Sequence, residues 1–274
     1  MYNFNGKLNA TEPIIMGILN VTEDSFYDGG RYTSGEAVRR RAAQILAEGG
    51  DIVDIGAMST RPDAMEIPEE EEKTRIVQAV RCIREDFPDA VLSVDTYRAS
   101  VAEAAVEAGA DIINDISGGT FDPEMIPTIG RLQVPYVLMH TPAKPAEMQQ
   151  HTEYNDLLGE MLQFFGKQIA FLHRHAVHDI ILDPGFGFGK TLEQNYFLMK
   201  NLEVFSELGY PLLVGISRKS MIYKLLGTTP EHALNGTTVL NTVALMKGAN
   251  ILRVHDVREA VEVRKILSLP KKSK

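Results

Sequence analysis

Gly17-Ile18-Leu19-Asn20-Val21-Thr22, directly after the apolar Ile14-Ile15-Met16, and Leu252-Arg253-Val254-His255-Asp256, near the other end of the chain, follow one pattern. Each is a short buried strand that runs straight into polar side chains able to hold a ligand. The pattern recurs at Asp54-Ile55-Gly56, Ser93-Val94-Asp95, Ile113-Asn114-Asp115, Leu138-Met139-His140, Leu182-Asp183-Pro184 and Gly215-Ile216-Ser217-Arg218-Lys219. Eight strand ends with functional groups at each predict one shared site.

The strands are expected over 14–19, 52–56, 91–94, 111–114, 135–139, 179–183, 212–216 and 250–254. Several are apolar at nearly every position, which suits strands buried on both faces of a parallel sheet. Their ends, near 20, 56, 95, 115, 139, 183, 217 and 255, leave room for a helical crossover in every gap. Thr33 and Glu36 have the spacing of a capping box opening a helix that ends at Gly49-Gly50. Pro68 with Glu69 to Glu72 marks the start of the next, proline in the first turn and carboxylates at the positive end of the helix dipole. Further helices are expected over 98–108, 154–177, 191–208 and 256–267, with an extra one over 231–247, between strands seven and eight. The predicted fold is α/β, a single (β/α)8 barrel, with an open doubly wound sheet as the rival. In a barrel, reactive groups gather at the C-terminal ends of the strands, where the polar residues fall here.

At 274 residues, with 44% apolar content and no Pro- or Ser-rich linker, the chain reads as one domain, its core over about 14–267 and a short polar tail after it. No run approaches the roughly 20 apolar residues of a membrane span. The N-terminus lacks a basic segment followed by a long apolar stretch, so no signal peptide is expected. The single cysteine, Cys82, sits on a helical pattern with Ile76, Val80 and Ile83 and reads as a small core residue; it fits a cytoplasmic protein. A net charge of −9 argues against nucleic acid as a partner, so any anion site must be a local concentration of Arg, Lys and backbone amides. Neither GxGxxG nor GxxxxGK[ST] occurs, which removes the usual dinucleotide and P-loop readings. HExxH is absent and no second histidine lies close to His255, so no zinc site is expected. His151, His173, His175 and His178 read as surface or helix residues.

The motifs GILNVTEDSFYDGG (17–30), DIGAMSTRP (54–62), SVDT (93–96), INDISGG (113–119), DPGFGFGK (183–190), GISRKS (215–220) and RVHD (253–256) closely resemble the dihydropteroate synthases, the folate-pathway members of the pterin-binding barrels. The resemblance covers about residues 14–266. That family joins p-aminobenzoate to 6-hydroxymethyl-7,8-dihydropterin pyrophosphate, giving 7,8-dihydropteroate and pyrophosphate. The resemblance assigns Asp95, Asn114, Asp183 and Lys219 to the pterin edges, with Met139 and Phe188 as apolar walls and Gly215 allowing close approach. Such residue types suit the ligand. A dihydropterin presents donors along one edge and acceptors along the other, which carboxylates, an amide and an ammonium can answer.

Pyrophosphate needs positive charge and directed N–H groups, and the loops after strands seven and eight are where barrels commonly hold phosphate. Arg253 and His255 stand there, main-chain groups of Val254 lie between them, and Asp256 opens a helix whose N-terminus would face the site. The resemblance adds Arg61, Thr60 and Asn20, the last matching the family's magnesium ligand and implying Mg²⁺ as cofactor. It also implies a p-aminobenzoate pocket of Phe26, Thr60, Pro62, Phe188 and Ser220, sulfonamides as inhibitors, a homodimer, and closure of the loops at 20–33 and 57–67. No side chain is expected to attack the substrate; Lys219, Arg253 and His255 act electrostatically. Lys219 as a Schiff-base nucleophile is the alternative for a barrel lysine, but its place after Ser217-Arg218 suits a hydrogen-bonding cation better.

Two departures from the family pattern stand out. Ala57-Met58 replaces the common Gly-Glu, with Asp63 after Pro62 where glycine is frequent, and the loop after strand five, from His140 to Pro145, lacks the usual Met-Arg-Gly or Met-Gln-Gly. Neither touches an expected pterin or phosphate ligand. A corrinoid-dependent methyltransferase on a related barrel would have no pyrophosphate to bind, and a non-catalytic paralogue is expected to have lost the anion ligands. Arg61, Arg253 and His255 are all present, which favours the synthase.

Overall fold

The apolar runs form eight parallel strands: β1 Ile14–Asn20, β2 Ile52–Gly56, β3 Val91–Asp95, β4 Ile112–Asp115, β5 Tyr136–Met139, β6 Ile180–Asp183, β7 Leu213–Val214 and β8 Ile251–Val254. The structure, a computed structural model, describes residues 2–3, 9–10, 12–21, 35–57 and 67–268. Each strand pairs with the next in sequence from β1 to β6, β8 lies between β1 and β7, and a parallel bridge from Leu182 to Leu212 closes the ring. A closed ring rather than an open sheet settles the fold as a (β/α)8 barrel. Before β1, Tyr2–Asn3 and Asn9–Ala10 pair as two short antiparallel strands that the sequence reading did not anticipate.

Strand periodicity divides the core in two. Ile14, Met16, Ile52, Val91, Ile112, Val137, Ile181, Leu213 and Ile251 form one apolar cluster, the floor of the barrel interior. Residues of the opposite parity, among them Ile15, Leu19, Val53, Leu92, Ile113, Leu182, Val214 and Val254, pack outward in a larger cluster with the helices. Two residues further along each strand, the inward face changes character to Asp54, Ser93, Asn114, Met139, Asp183, Gly215 and Arg253, with Asp95 at the rim. The site is the polar continuation of the apolar lumen. Gly17 faces outward, where a Cβ would stand 2.5 Å from Ile45 Cγ2 and 3.0 Å from Val257 Cγ2, so two helices can close on β1 only over a glycine.

The helices are α1 Glu36–Ala47, α2 Glu69–Asp86, α3 Ala99–Ala108, α4 Met125–Leu132, α5 Leu157–Arg174, α6 Leu192–Lys200, α7 Ser220–Leu225, α8 Leu234–Met246 and α9 Val257–Leu267. The extra helix between strands seven and eight is α8, preceded by the short α7. Helix α1 starts at Glu36 with Gly35 as N-cap in the left-handed conformation (φ 102°) and no side-chain cap. The expected capping box is therefore not how this helix begins, and Thr33 itself lies outside the described residues. Pro68 is the N-cap of α2 rather than a first-turn residue. The segment expected as one helix over 191–208 is α6 followed by a 3-10 helix, Leu202–Leu208, with the break at Asn201. Among the described residues no helix is long and apolar enough to cross a membrane.

Candidate active site

The inward parity of β2, β3, β4 and β8 puts an ion-pair network in the mouth of the lumen. Arg253 donates from Nε to Asp54 Oδ2 at 2.6 Å and from Nη2 to Asp95 Oδ2 at 2.6 Å. Asn114 turns its amide nitrogen towards both Asp54 oxygens, at 3.4 and 3.3 Å. Asp54 is fully buried, and Asp95 and Asn114 nearly so. Two carboxylates share one guanidinium. Burial raises the Asp95 pKa to about 7 against the pull of Arg253, and the charge on Asp54 pushes the same way as burial. Arg253 is held fully cationic, since both aspartates favour its charge against burial.

Across the lumen, Asp183 ends β6 and accepts the Gly185 amide on Oδ1 at 2.7 Å. Burial raises its pKa, opposed first by Lys219. Lys219 donates from Nζ to Phe186 O at 2.5 Å and lies 4.6 Å from the centre of the Phe188 ring, a cation–π distance. Burial lowers its pKa to about 8, with Asp183 opposing. Phe188 and Met139 join Tyr97, Ile116 and Met148 in a separate apolar cluster above the barrel floor. At Gly215 an added Cβ would meet only the Arg253 side chain, at 3.8 Å or more. Packing of the chain alone does not demand glycine there; the glycine leaves space in the mouth of the barrel.

The ends of β7 and β8 are tied together. Ser217 Oγ accepts the His255 amide at 3.1 Å and contacts its Nδ1 at 3.0 Å. Burial first, and Arg253 second, lower the His255 pKa to about 4. Arg41, on α1, donates to His255 O at 2.7 Å and to Ile18 O at 3.3 Å, fixing β8 against β1. Val254 points its side chain outward into the helix-packed core, so only its main chain reaches this region. Asp256 is the N-cap residue of α9, but its carboxylate goes to Arg218, at 2.9 and 2.7 Å, and makes no cap. The first-turn amides of α9 are therefore left without a side-chain cap, with Glu259 the acidic side chain of that turn. Asn20 closes β1 in register with Gly56 and is exposed at the rim. Ser220 is the first residue of α7.

The structure thus brings Asp95, Asn114, Met139, Asp183, Phe188, Gly215, Lys219 and Arg253 to one end of one barrel, with His255 and Asn20 on its rim. Phe26, Thr60, Arg61 and Pro62 lie outside the described residues, as do Met58, Asp63 and most of the loops at 20–33 and 57–67. Sequence reasoning had Asp54 and Ser217 among the strand-end groups but gave them no role; the structure pairs Asp54 with Arg253 and Ser217 with His255. Their parity with Ile52 and Leu213 was the available signal. Asp115, by contrast, faces outward, where it accepts the Tyr136 hydroxyl at 2.6 Å and the amides of Ser117 and Gly119. Its role is to hold the turn after β4. Among the described residues no group of three or more His, Cys, Asp or Glu is arranged to hold a metal ion.

Comparison with known proteins agrees with this geometry. The family described as pterin binding enzyme matches residues 16–255. A dihydropteroate synthase of Synechocystis sp. is 44% identical over 255 residues, 92% of this chain and 88% of that protein. The crystal structure of the Yersinia pestis dihydropteroate synthase with a sulfonamide drug superposes with a TM-score of 0.89 at 39% identity, covering 97% of both chains. The Xanthomonas albilineans dihydropteroate synthase in complex with 7,8-dihydropteroate gives 0.87 at 34% identity, over 100% of this chain and 99% of that one. On the strength of these matches, which run nearly end to end, the chain belongs to the dihydropteroate synthase family of pterin-binding enzymes.

Proposed function

We propose that this barrel is a transferase that condenses 6-hydroxymethyl-7,8-dihydropterin pyrophosphate with p-aminobenzoate, giving 7,8-dihydropteroate and pyrophosphate. One observation carries the reading: acceptors Asp95 and Asp183, the two-way amide of Asn114 and the donor Lys219, drawn from four strand ends, ring a lumen that also holds Arg253. The pterin ring would lie between these groups, with Met139 and Phe188 as walls and Gly215 beneath it. Its methylene would then face the β7 and β8 ends, where Arg253, His255 and the α9 amides receive the pyrophosphate.

The bond from the pterin methylene to the pyrophosphate oxygen breaks, and its electron pair leaves with pyrophosphate. The electron-rich dihydropterin delocalises the resulting cation. The arylamine nitrogen adds and then loses a proton. Arg253 and His255 stabilise charge that grows as the bond breaks, while the pocket supplies position; no covalent enzyme intermediate is needed. Arg61 and Thr60 would complete the anion clamp, and Phe26, Thr60, Pro62, Phe188 and Ser220 the p-aminobenzoate pocket. Sulfonamides, which share the aniline end, would compete there.

The donor set fits Mg²⁺. Asn20 offers an amide oxygen at the exposed rim, a hard ligand of the kind Mg²⁺ takes alongside substrate phosphates. When bound, Mg²⁺ neutralises charge on the leaving group. A homodimer is our further proposal, supported by exposed Leu225 at the end of α7, Leu226 just after it, and Val239 and Met246 on α8. A cytoplasmic location suits the lone buried thiol of Cys82. The test is an assay of the purified protein with both substrates, with and without Mg²⁺. Dihydropteroate and pyrophosphate should appear in equal amounts; binding of both substrates without product would overturn the reading.

A further inference from the structure

Lys190 is a buried lysine that the reaction does not call upon. It is 4% exposed and its ammonium has three acceptors around it: Gly185 O at 3.0 Å, Phe188 O at 3.0 Å and His140 Nδ1 at 3.2 Å. An ammonium has three N–H donors, so the set is complete. With Lys190 protonated, Nδ1 accepts and the ring proton lies on Nε2. His140 is itself buried, with its ring edge-on to Phe164 at 5.1 Å.

The segment held in this way has no regular structure. Gly185, Gly187 and Gly189 all take positive φ, at 67°, 83° and 57°. Side chains satisfy much of its backbone. Besides the Lys190 bonds, the Gly187 amide donates to Asn195 Oδ1 at 2.7 Å, the Tyr154 hydroxyl donates to Gly189 O at 3.0 Å, and Lys219 donates to Phe186 O. Lys190 grips the carbonyls on either side of the one that Lys219 uses. Fixing residues 185 and 188 thereby fixes both the carbonyl to which Lys219 is tethered and the Phe188 ring over which its ammonium lies.

We propose that Lys190 is a positioning residue for the pterin half of the site: by clamping Gly185 O and Phe188 O against His140 Nδ1, it sets Phe188 and Lys219 at the spacing that pterin binding requires. The proposal rests on the pterin reading above, and the test separates the two.

The wild-type protein is titrated with a pterin analogue and assayed with both substrates; absence of pterin binding in wild type would sink the pterin reading itself. Given binding, Lys190→Met should raise the KM for the pterin substrate and the analogue Kd by on the order of 10-fold or more, as expected when binding groups shift by about an ångström, with a smaller change in kcat. The pair His140→Asn and His140→Phe supplies the control for folding. Asparagine keeps an acceptor near the Nδ1 position and should restore much of the pterin affinity that phenylalanine loses. Equal pterin constants in wild type and Lys190→Met, or equal losses in the two His140 variants, would overturn the proposal. Should Lys190→Met fail to fold, ¹⁵N NMR of His140 in the wild-type protein decides: an unprotonated Nδ1 supports the clamp, and a proton on Nδ1 overturns it.

Discussion

Arg253 Nη2 stands 2.6 Å from Asp95 Oδ2, so the cation we assign to the leaving group is paired with the carboxylate we assign to the pterin. Asp54 holds the same guanidinium through Nε at 2.6 Å. On our reading, a pterin donor that takes Asp95 Oδ2 displaces Arg253 from that oxygen. Pyrophosphate would compensate the arginine for it. The two halves of one substrate are thereby coupled, since phosphate that draws Arg253 outward uncovers the pterin acceptor.

Removing Arg253 should therefore have two effects. Arg253→Ala should lose on the order of 10² to 10³-fold in kcat/KM, comparable to losing an oxyanion donor. It also leaves two buried carboxylates without their cation, a change that typically costs about 3–5 kcal/mol of stability. Steady-state kinetics and urea unfolding measure the two separately. Near-normal kcat/KM in the folded variant would remove Arg253 from the mechanism.

Asp95→Asn should trade function for stability in a pH-dependent way. The Asp95 pKa is raised from 3.8 to about 7, chiefly by burial, so the folded protein favours its protonated form. Its contribution to stability is present below pH 3.8 and is lost as pH rises through about 7. Relative to wild type, the variant should gain stability across that window while pterin affinity falls. Parallel stability–pH curves for the two proteins would contradict this assignment.

His255 carries the opposite sign. Burial and Arg253 lower its pKa from 6.5 to about 4, so a bound anion, which offsets the charge of Arg253, should raise it again. Anion binding then takes up a proton, and affinity should strengthen as pH falls from the bound-state value towards about 4. Sulfate is the suitable probe because its own charge does not change in that range. Calorimetric titrations of wild type and His255→Asn across it should diverge, and identical pH profiles would show that His255 does not face the anion.

The strands were legible because burial on both faces leaves near-continuous apolar runs, and the site was legible where polar residues end those runs. Helix α4 was hidden by Pro127 and Gly130 inside an eight-residue element, and α7 by its six-residue length. The start of α1 was misread because Gly35, with no side chain to cap, takes the N-cap position. Asp54 was visible as a strand-end group, but its partner was not. Its pairing with Arg253 depends on β8 lying beside β1, which in turn pairs with β2. The contact of Lys190 with His140 is hidden for the same reason, because it joins loops fifty residues apart in sequence.

The most direct test of the account is a crystal structure with a non-hydrolysable analogue of 6-hydroxymethyl-7,8-dihydropterin pyrophosphate. The pterin edges should lie within hydrogen-bond reach of Asp95, Asn114, Asp183 and Lys219, and the Arg253 guanidinium should have left Asp95 for the phosphates. A pterin bound elsewhere, or phosphates in place with Arg253 still on both aspartates, would contradict it.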